Sequence, residues 1–345
     1  MQNNTEKILV WLPSPLGDAI LCAPALRSLR ERFSTARITF FGKHIVREIL
    51  TPCRFNDDWI EQKRDNPFFI AVRLRKKKFD QAILFKNSFS SALAVFLAGV
   101  GERIGYARDG RGFLLTEKLH PPKLADRSFK PFSMIDYYLA IASWLGANIA
   151  DRRLALEFFS EDKEVLFQQM PEISKENVPV VIMVPGGAFG PSKCWPSERF
   201  SATADRLVSA YNAKIVISVA PLPAEMKIAE EIAERSNNPV MNTAHRSLNI
   251  GQLKALYALA DLVICNDTGP RHIAIAFDRK VITLFGPNDP AWTDTGHVKE
   301  IQIVGKAPCA PCAKPFCRQK EHTCMESITV EEVCTAAAKL LERKV

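Results

Sequence analysis

Along this chain, short runs rich in β-branched and aromatic residues alternate with longer amphipathic stretches, and that alternation restricts the fold more than any other feature. KILVWL (7–12), ARITFFG (36–42) and FDQAILF (79–85) read as strands, with helices near 19–32, 88–98 and 132–145 between and after them. Around GANIADRR (146–153) the periodicity stops, and it restarts with LALEF, a charged helix from Ser160 and the strand run VPVVIMVPG (178–186). AKIVISVA (213–220), DLVICN (261–266) and KVITLFG (280–286) continue the strands, with helices over 197–211, 223–236 and 249–260. Strands separated by helices pair in parallel and are covered on both faces, so the expected class is α/β with open parallel sheets. A chain of 345 residues exceeds what one core organises, which predicts an N-terminal domain over 1–150, a second over 151–328 and a closing helix over 329–345. Open α/β sheets bind ligands at the carboxyl ends of their strands, so function is expected in the loops there, with the two sheets facing one another across a cleft.

Composition narrows the partners. A content of 47% hydrophobic and 24% charged residues is that of a globular protein, and the net charge of +8 favours an anionic partner. The one dense basic run, RLRKKK at 73–78, reads most simply as a solvated helix face. No zinc-finger or aromatic RNA-binding signature is present, so nucleic acid is not indicated. The start MQNNTEKILVWL lacks a basic leader and its apolar run breaks at Pro13, while SALAVFLAGVG is too short to span a bilayer; a cytoplasmic location is the expectation.

Four loops after strands carry chemistry. In NDTGPRHIAI (266–275), Asp267 or Thr268 suits a helix cap and Pro270 the first turn, leaving the N–H groups of Thr268, Gly269 and the next turn as an anion site. His272, one turn on, can donate a further hydrogen bond, although an ordinary capped helix with His272 packed internally has the same local pattern. In LPSPLGDAILCAPALRSLR, Gly17 permits a sharp turn and Asp18 starts a helix, either as a functional carboxylate or as its N-cap. The glycine loop PGGAFGPSKCWP (185–196) carries Lys193 toward the strand ends, as a counter-charge for phosphate or as a solvated lysine. In VAPLPAEMK, Glu225 either binds ribose hydroxyls or merely favours its helix start.

These loops in this order resemble the ADP-heptose heptosyltransferases of lipopolysaccharide inner-core assembly, glycosyltransferase family nine. The likeness is carried by LPSPLGDAILCAPALRSLR, NSFSSALAVFLAG with RIGY, PGGAFGPSKCWP and NDTGPRHIAIAFDRKVITLFGPNDP; NSFSSAL and FGPSKCWP are closer to members adding the second heptose than the first. The resemblance implies a GT-B architecture, two Rossmann-like domains with parallel sheets facing across a cleft, the first for the acceptor and the second for the nucleotide sugar. It implies inverting transfer from ADP-heptose that needs neither metal nor cofactor, at the cytoplasmic face of the inner membrane with peripheral association. Position by position, Asp18 matches the catalytic base, Lys193 the lysine on the donor phosphates, and Asp267, Thr268, Gly269 and His272 the donor loop, with Gly187 of the glycine loop beside them. Glu225 matches the nucleotide-contacting acid loosely, since APLPA stands where glycines are usual, and Pro270 and Arg271 replace the Leu and Met frequent in the donor loop. Lys86, Arg103, Arg108 and Arg111 are the expected contacts of an anionic acceptor, lipid A bearing Kdo and one heptose.

Nine cysteines divide into scattered ones, among them Cys22, Cys53, Cys194 and Cys265, and the cluster Cys309, Cys312, Cys317 and Cys324 in CAPCAKPFCRQKEHTC. Such a cluster could bind zinc or an iron–sulfur centre, but it lacks the paired CxxC motifs of a zinc ribbon, and reduced thiols or a stabilising disulfide fit as well. Rival functions stay open on the residues alone. A dinucleotide oxidoreductase needs GxGxxG, to which GVGERIG (99–105) has one residue too many, and no P-loop occurs. Another nucleotide-sugar transferase of the same fold, or a noncatalytic nucleotide-sugar or lipopolysaccharide binder, would share most of these loops.

Overall fold

The computed structural model describes residues 7–174, 178–246 and 248–341, so residues 342–345 of the expected closing helix lie outside the described residues. The chain folds as two compact units, one of residues through Glu157 together with Ala291–Thr295, the other of Phe158–Pro290 and the chain from Gly296 onward. LALEF joins no sheet, and its Leu154 and Leu156 alternate inward as an extended connector.

In the first unit the strands are β1 (Lys7–Trp11), β2 (Arg37–Gly42), β3 (Asp58–Glu61), β4 (Gln81–Leu84), β5 (Glu102–Tyr106) and β6 (Glu117–Leu119). They form one parallel sheet in the order β3-β2-β1-β4-β5-β6. Its helices are α1 (Leu16–Leu21), α2 (Ala23–Arg32), α3 (His44–Leu50), α4 (Pro67–Arg75), α5 (Phe89–Leu97) and α6 (Met134–Trp144). The single helix expected over 19–32 is two. Pro24 has no N–H to give the Ile20 carbonyl and its ring crowds that turn, so the chain re-forms a helix with Pro24 in its first turn. Gly17 makes no sharp turn; it is the second residue of α1, whose N-cap is Pro15. One side of the sheet packs Leu9, Trp11 and Leu84 against Ile70, Leu74 and Val95 from α4 and α5.

The second unit repeats the plan. Its strands are β7 (Val180–Val184), β8 (Lys214–Ile217), β9 (Met241–Asn242), β10 (Leu262–Asn266), β11 (Lys280–Phe285) and β12 (Glu300–Val304), all parallel, in the order β12-β11-β10-β7-β8-β9. The helices are α7 (Ser160–Gln169), α8 (Ser197–Tyr211), α9 (Pro223–Arg235), α10 (Ile250–Leu259), α11 (Gly269–Ala276), α12 (Thr323–Glu326) and α13 (Val330–Leu341). Central strands β7 and β10 are buried along their whole length, which is why they read as unbroken apolar runs. Trp195 is buried edge-on to Phe200 at 5.0 Å and donates its indole N–H to the Ile328 carbonyl at 3.0 Å, tying the end of the glycine loop to the chain before α13. Each sheet reverses its strand order between its two central members, β1 and β4 or β7 and β10, and such a switch point opens a crevice at the carboxyl edge.

Candidate functional site

At the switch point of the second unit, the glycine loop leaves β7 and the Asp267 turn leaves β10, so parallel pairing alone sets the two loops side by side. The Lys193 ammonium lies 2.6 Å from Asp267 Oδ2 and donates to the Asp267 carbonyl at 2.9 Å, bridging them. Asn266 holds the same pair of loops from below: its side chain donates to the Pro185 carbonyl at 2.7 Å and accepts from Trp195 N–H at 3.3 Å. Asn288, after β11, donates to Asp267 Oδ2 at 3.2 Å. Burial raises the Asp267 carboxyl, but the nearby Lys193 and Arg271 cations outweigh it and hold the group below the usual carboxylate range. Arg271 is fully buried and pairs with Glu300 on β12 at 2.6 Å, so its charge is neutralised within the unit.

Thr268 is the N-cap of α11, yet its hydroxyl makes no capping bond, and Asp267 is held by Lys193 instead of capping. Pro270 has no N–H and Arg271 N–H goes to the Thr268 carbonyl, so Thr268 and Gly269 are the two amides left without a partner among the described residues. His272 is buried, and desolvation first, then Arg271, depresses its pKa to about 3, so the ring is neutral. Its Nδ1 has no hydrogen-bond partner among the described residues. Two amides without a partner at a helix start and a neutral ring with an unmet nitrogen are groups that can hydrogen-bond an anion, beside the charge of Lys193.

Glu225 begins α9 after β8, and its carboxylate accepts from Ala220 N–H at 2.9 Å. It rests on Gly186, where an added Cβ would come within 2.4 Å of the carboxylate; a Cβ added at Gly187 would instead make ordinary contact with the Thr268 methyl at 3.6 Å. Gly186→Ala is therefore expected to swing the end of the Glu225 side chain aside without disturbing the sheet. Its melting temperature should stay near that of the parent.

In the first unit, Asp18 occupies the first turn of α1 beyond the end of β1, and it is not the N-cap. Burial pushes its carboxyl up to about 6, and no hydrogen bond or ion pair reaches that carboxylate among the described residues. Its charge in turn adds to the burial that raises the Cys22 thiol and the Tyr138 phenol. A carboxyl with a pKa near neutrality can exchange protons at physiological pH. Lys86, at the end of β4, lies across the same switch point, with its ammonium 6.0 Å from the Trp11 ring centroid and its pKa lowered by burial.

The family model described as glycosyltransferase family 9 (heptosyltransferase) matches residues 69–323, most of the chain. The chain belongs to glycosyltransferase family 9. It is 26% identical over 340 residues to lipooligosaccharide heptosyltransferase 2 of Campylobacter jejuni subsp. jejuni serotype O:6, covering 97% of this chain and 99% of that protein. A family 9 glycosyl transferase from Veillonella parvula superposes with a TM-score of 0.83 at 20% identity, over 98% of this chain and 99% of that one. ADP-heptose lps heptosyltransferase II of E. coli gives 0.78 at 24% identity, over 97% and 98%. The enzyme is thus a glycosyltransferase, and its pair of parallel six-stranded sheets is the GT-B type of fold.

The fold of this glycosyltransferase gathers Lys193, Asp267, Thr268, Gly269, His272, Glu225 and Gly187 at one edge of the second sheet. Asp18, Lys86 and Arg108 follow strands of the first sheet at its carboxyl edge. Two of the expected acceptor contacts are engaged within the first unit itself. Arg111 is wholly buried, donating to the carbonyls of Tyr106 and Lys86 and to Asn87 Oδ1, so it builds the edge from within. Arg103 sits at the amino end of β5, donating to the carbonyls of Val100, Gly101 and Leu114, away from Asp18 along the strand. Arg108 stays partly exposed, 4.4 Å from the Phe129 ring centroid.

Sequence reasoning did not single out Asn266, Asn288 or Glu300. The available signal was a polar residue ending an otherwise apolar strand, NDTG after DLVIC. All four clustered cysteines are free thiols, and among the described residues no set of three metal-ligating side chains converges. Their segment packs on the glycine loop: Ser192 donates to the Lys314 carbonyl at 2.6 Å, and Gly190, at φ +146°, lies where a Cβ would strike the Pro315 carbonyl.

Proposed function

We propose that this enzyme transfers heptose from ADP-heptose to the anionic lipopolysaccharide inner core, with inversion at the anomeric carbon, without a metal ion, at the cytoplasmic face of the inner membrane. The reading is supported by the relatives' heptosyltransferase names and above all by the Lys193–Asp267 bridge beside the unpartnered amides of Thr268 and Gly269. An ammonium has three N–H donors. Asp267 takes two through its carbonyl and carboxylate, which leaves the third for a phosphate oxygen. The two amides and neutral His272 add donors where negative charge grows on the departing ADP. Glu225 faces the ribose hydroxyls.

Asp18 accepts the proton of the acceptor hydroxyl as its oxygen forms the new bond to the anomeric carbon, and the electrons of the broken bond pass to the ADP β-phosphate. Lys86 and Arg108 meet the anionic acceptor, while Arg111 supports the backbone that presents them. The test is to incubate the purified protein with ADP-heptose and heptosyl-Kdo-lipid A and weigh the product by mass spectrometry. Addition of one heptose is expected; ADP-heptose binding with no product under any acceptor tried would point to a noncatalytic binder.

A further inference from the structure

The geometry points to α4 as a membrane-docking helix that lies along an anionic lipid surface, an inference that rests on the proposed lipid-linked acceptor. The helix is amphipathic in an unusual sense. Ile70, Ala71 and Leu74 face the core, while the outward face carries Phe68, Phe69 and Val72 at 62%, 58% and 61% exposure. A soluble surface seldom presents three large apolar side chains on adjacent turns without something to cover them.

Both ends of this face are basic. Arg64 stands 4.9 Å over the Phe69 ring at the start, and Lys76, Lys77 and Lys78 are exposed past the end without a salt bridge among the described residues. Over residues 63–80 seven cations, Lys63, Arg64, Arg73, Arg75, Lys76, Lys77 and Lys78, stand against two carboxylates, Asp65 and Asp80, so positive charge dominates this stretch. Arg75 donates to the Leu97 carbonyl at 2.5 Å, fastening α4 to α5, whose Phe96 is also 48% exposed. An apolar face flanked by cations fits the headgroup boundary of a bilayer holding anionic lipids, where rings enter the acyl boundary and lysines meet phosphates. Because α4 follows β3 in a parallel sheet, Phe68 and Phe69 stand at the same carboxyl edge as Asp18. Docking there holds that edge against the layer in which a lipid-anchored acceptor is embedded. The lysine run that reads in sequence as a solvated face thereby gains an occupant.

The full-length protein is tested by co-sedimentation with vesicles of phosphatidylcholine alone or mixed with phosphatidylglycerol. Binding to the anionic vesicles that weakens with added salt is expected, and a drop in partitioning of roughly tenfold or more for Phe68→Ser/Phe69→Ser/Val72→Ser and for Lys76→Glu/Lys77→Glu/Lys78→Glu. Both variants should transfer to a deacylated soluble acceptor at the parent rate but lose transfer to acceptor held in vesicles. Indifference of the parent to phosphatidylglycerol, or variants that bind as the parent does, overturns the proposal. So does a triple serine variant that merely changes from dimer to monomer in sedimentation, which would mark the face as a contact between copies of this chain. Vesicle binding that behaves as expected in a protein that transfers heptose to no lipopolysaccharide-core acceptor would support the docking helix while defeating the proposed acceptor.

Discussion

Replacing Asp18 with Asn is expected to lower kcat on the order of 10³-fold, the usual contribution of a positioned general base, while ADP affinity measured by titration stays at the parent value. The expected stability change has the opposite sign. The folded-state pKa of about 6 lies above the ordinary value of 3.8, so this carboxyl favours the fold fully below about pH 4 and loses that contribution as pH rises through about 6. Above that range the buried charge costs up to about 3 kcal/mol, and a neutral asparagine removes the cost. Asp18→Asn should therefore melt a few degrees higher than the parent at mildly alkaline pH and alike in acid. In the parent, kcat/KM should fall on the acid side with an apparent pKa near 6. His272, held neutral with a pKa of about 3, cannot supply that limb, so His272→Gln should keep it. A folded Asp18→Asn enzyme within about tenfold of the parent rate would remove Asp18 from the role of base.

Lys193→Ala should damage both donor use and the fold. The lysine is the nearest cation to a carboxylate that is 6% exposed, and removing one member of a buried pair typically costs about 3–5 kcal/mol. Arg271 at 3.8 Å and the Asn288 amide remain to share the orphaned charge, so a loss at the lower end, about 3 kcal/mol, is expected in denaturant unfolding. The double change Lys193→Ala/Asp267→Ala should regain much of that stability, because no charge is left unpaired. It should not regain donor use, since the phosphate would still lack its ammonium. If the double variant recovered turnover as well, the lysine would serve the fold alone.

The contrast between strands seen and unseen in the sequence has a physical source. β1, β4, β7, β10 and β11 lie inside their sheets, buried on both faces, and appear as apolar runs. The outer strands β3 (DWIE), β6 (EKL) and β12 (EIQIV) carry charges because one margin or face stays wet, and that hides them from any search for hydrophobic runs. The strand, turn and helix of the candidate anion site were legible where local chemistry suffices: a strand, then DTG, then a helix with Pro in its first turn. Its electrostatics were not, because Lys193 and Asp267 are 74 residues apart and meet only through the pairing of β7 with β10. The same holds for Gly186, whose place under Glu225 depends on the pairing of β7 with β8.

By itself the sequence determined the alternation of strand and helix, and with it which loops stand at the carboxyl edges, because periods of two and of 3.6 residues are written in neighbouring side chains. Only the tertiary structure decided which charges those edges can offer. Arg111 is enclosed by backbone carbonyls, Arg103 is turned to the far end of its strand, Arg271 is matched by Glu300, and Asp18, without an ion pair among the described residues, sits in a place dry enough to raise its pKa. Whether a charge is free depends on its desolvation and its partners, and both are fixed by packing between segments distant in the chain.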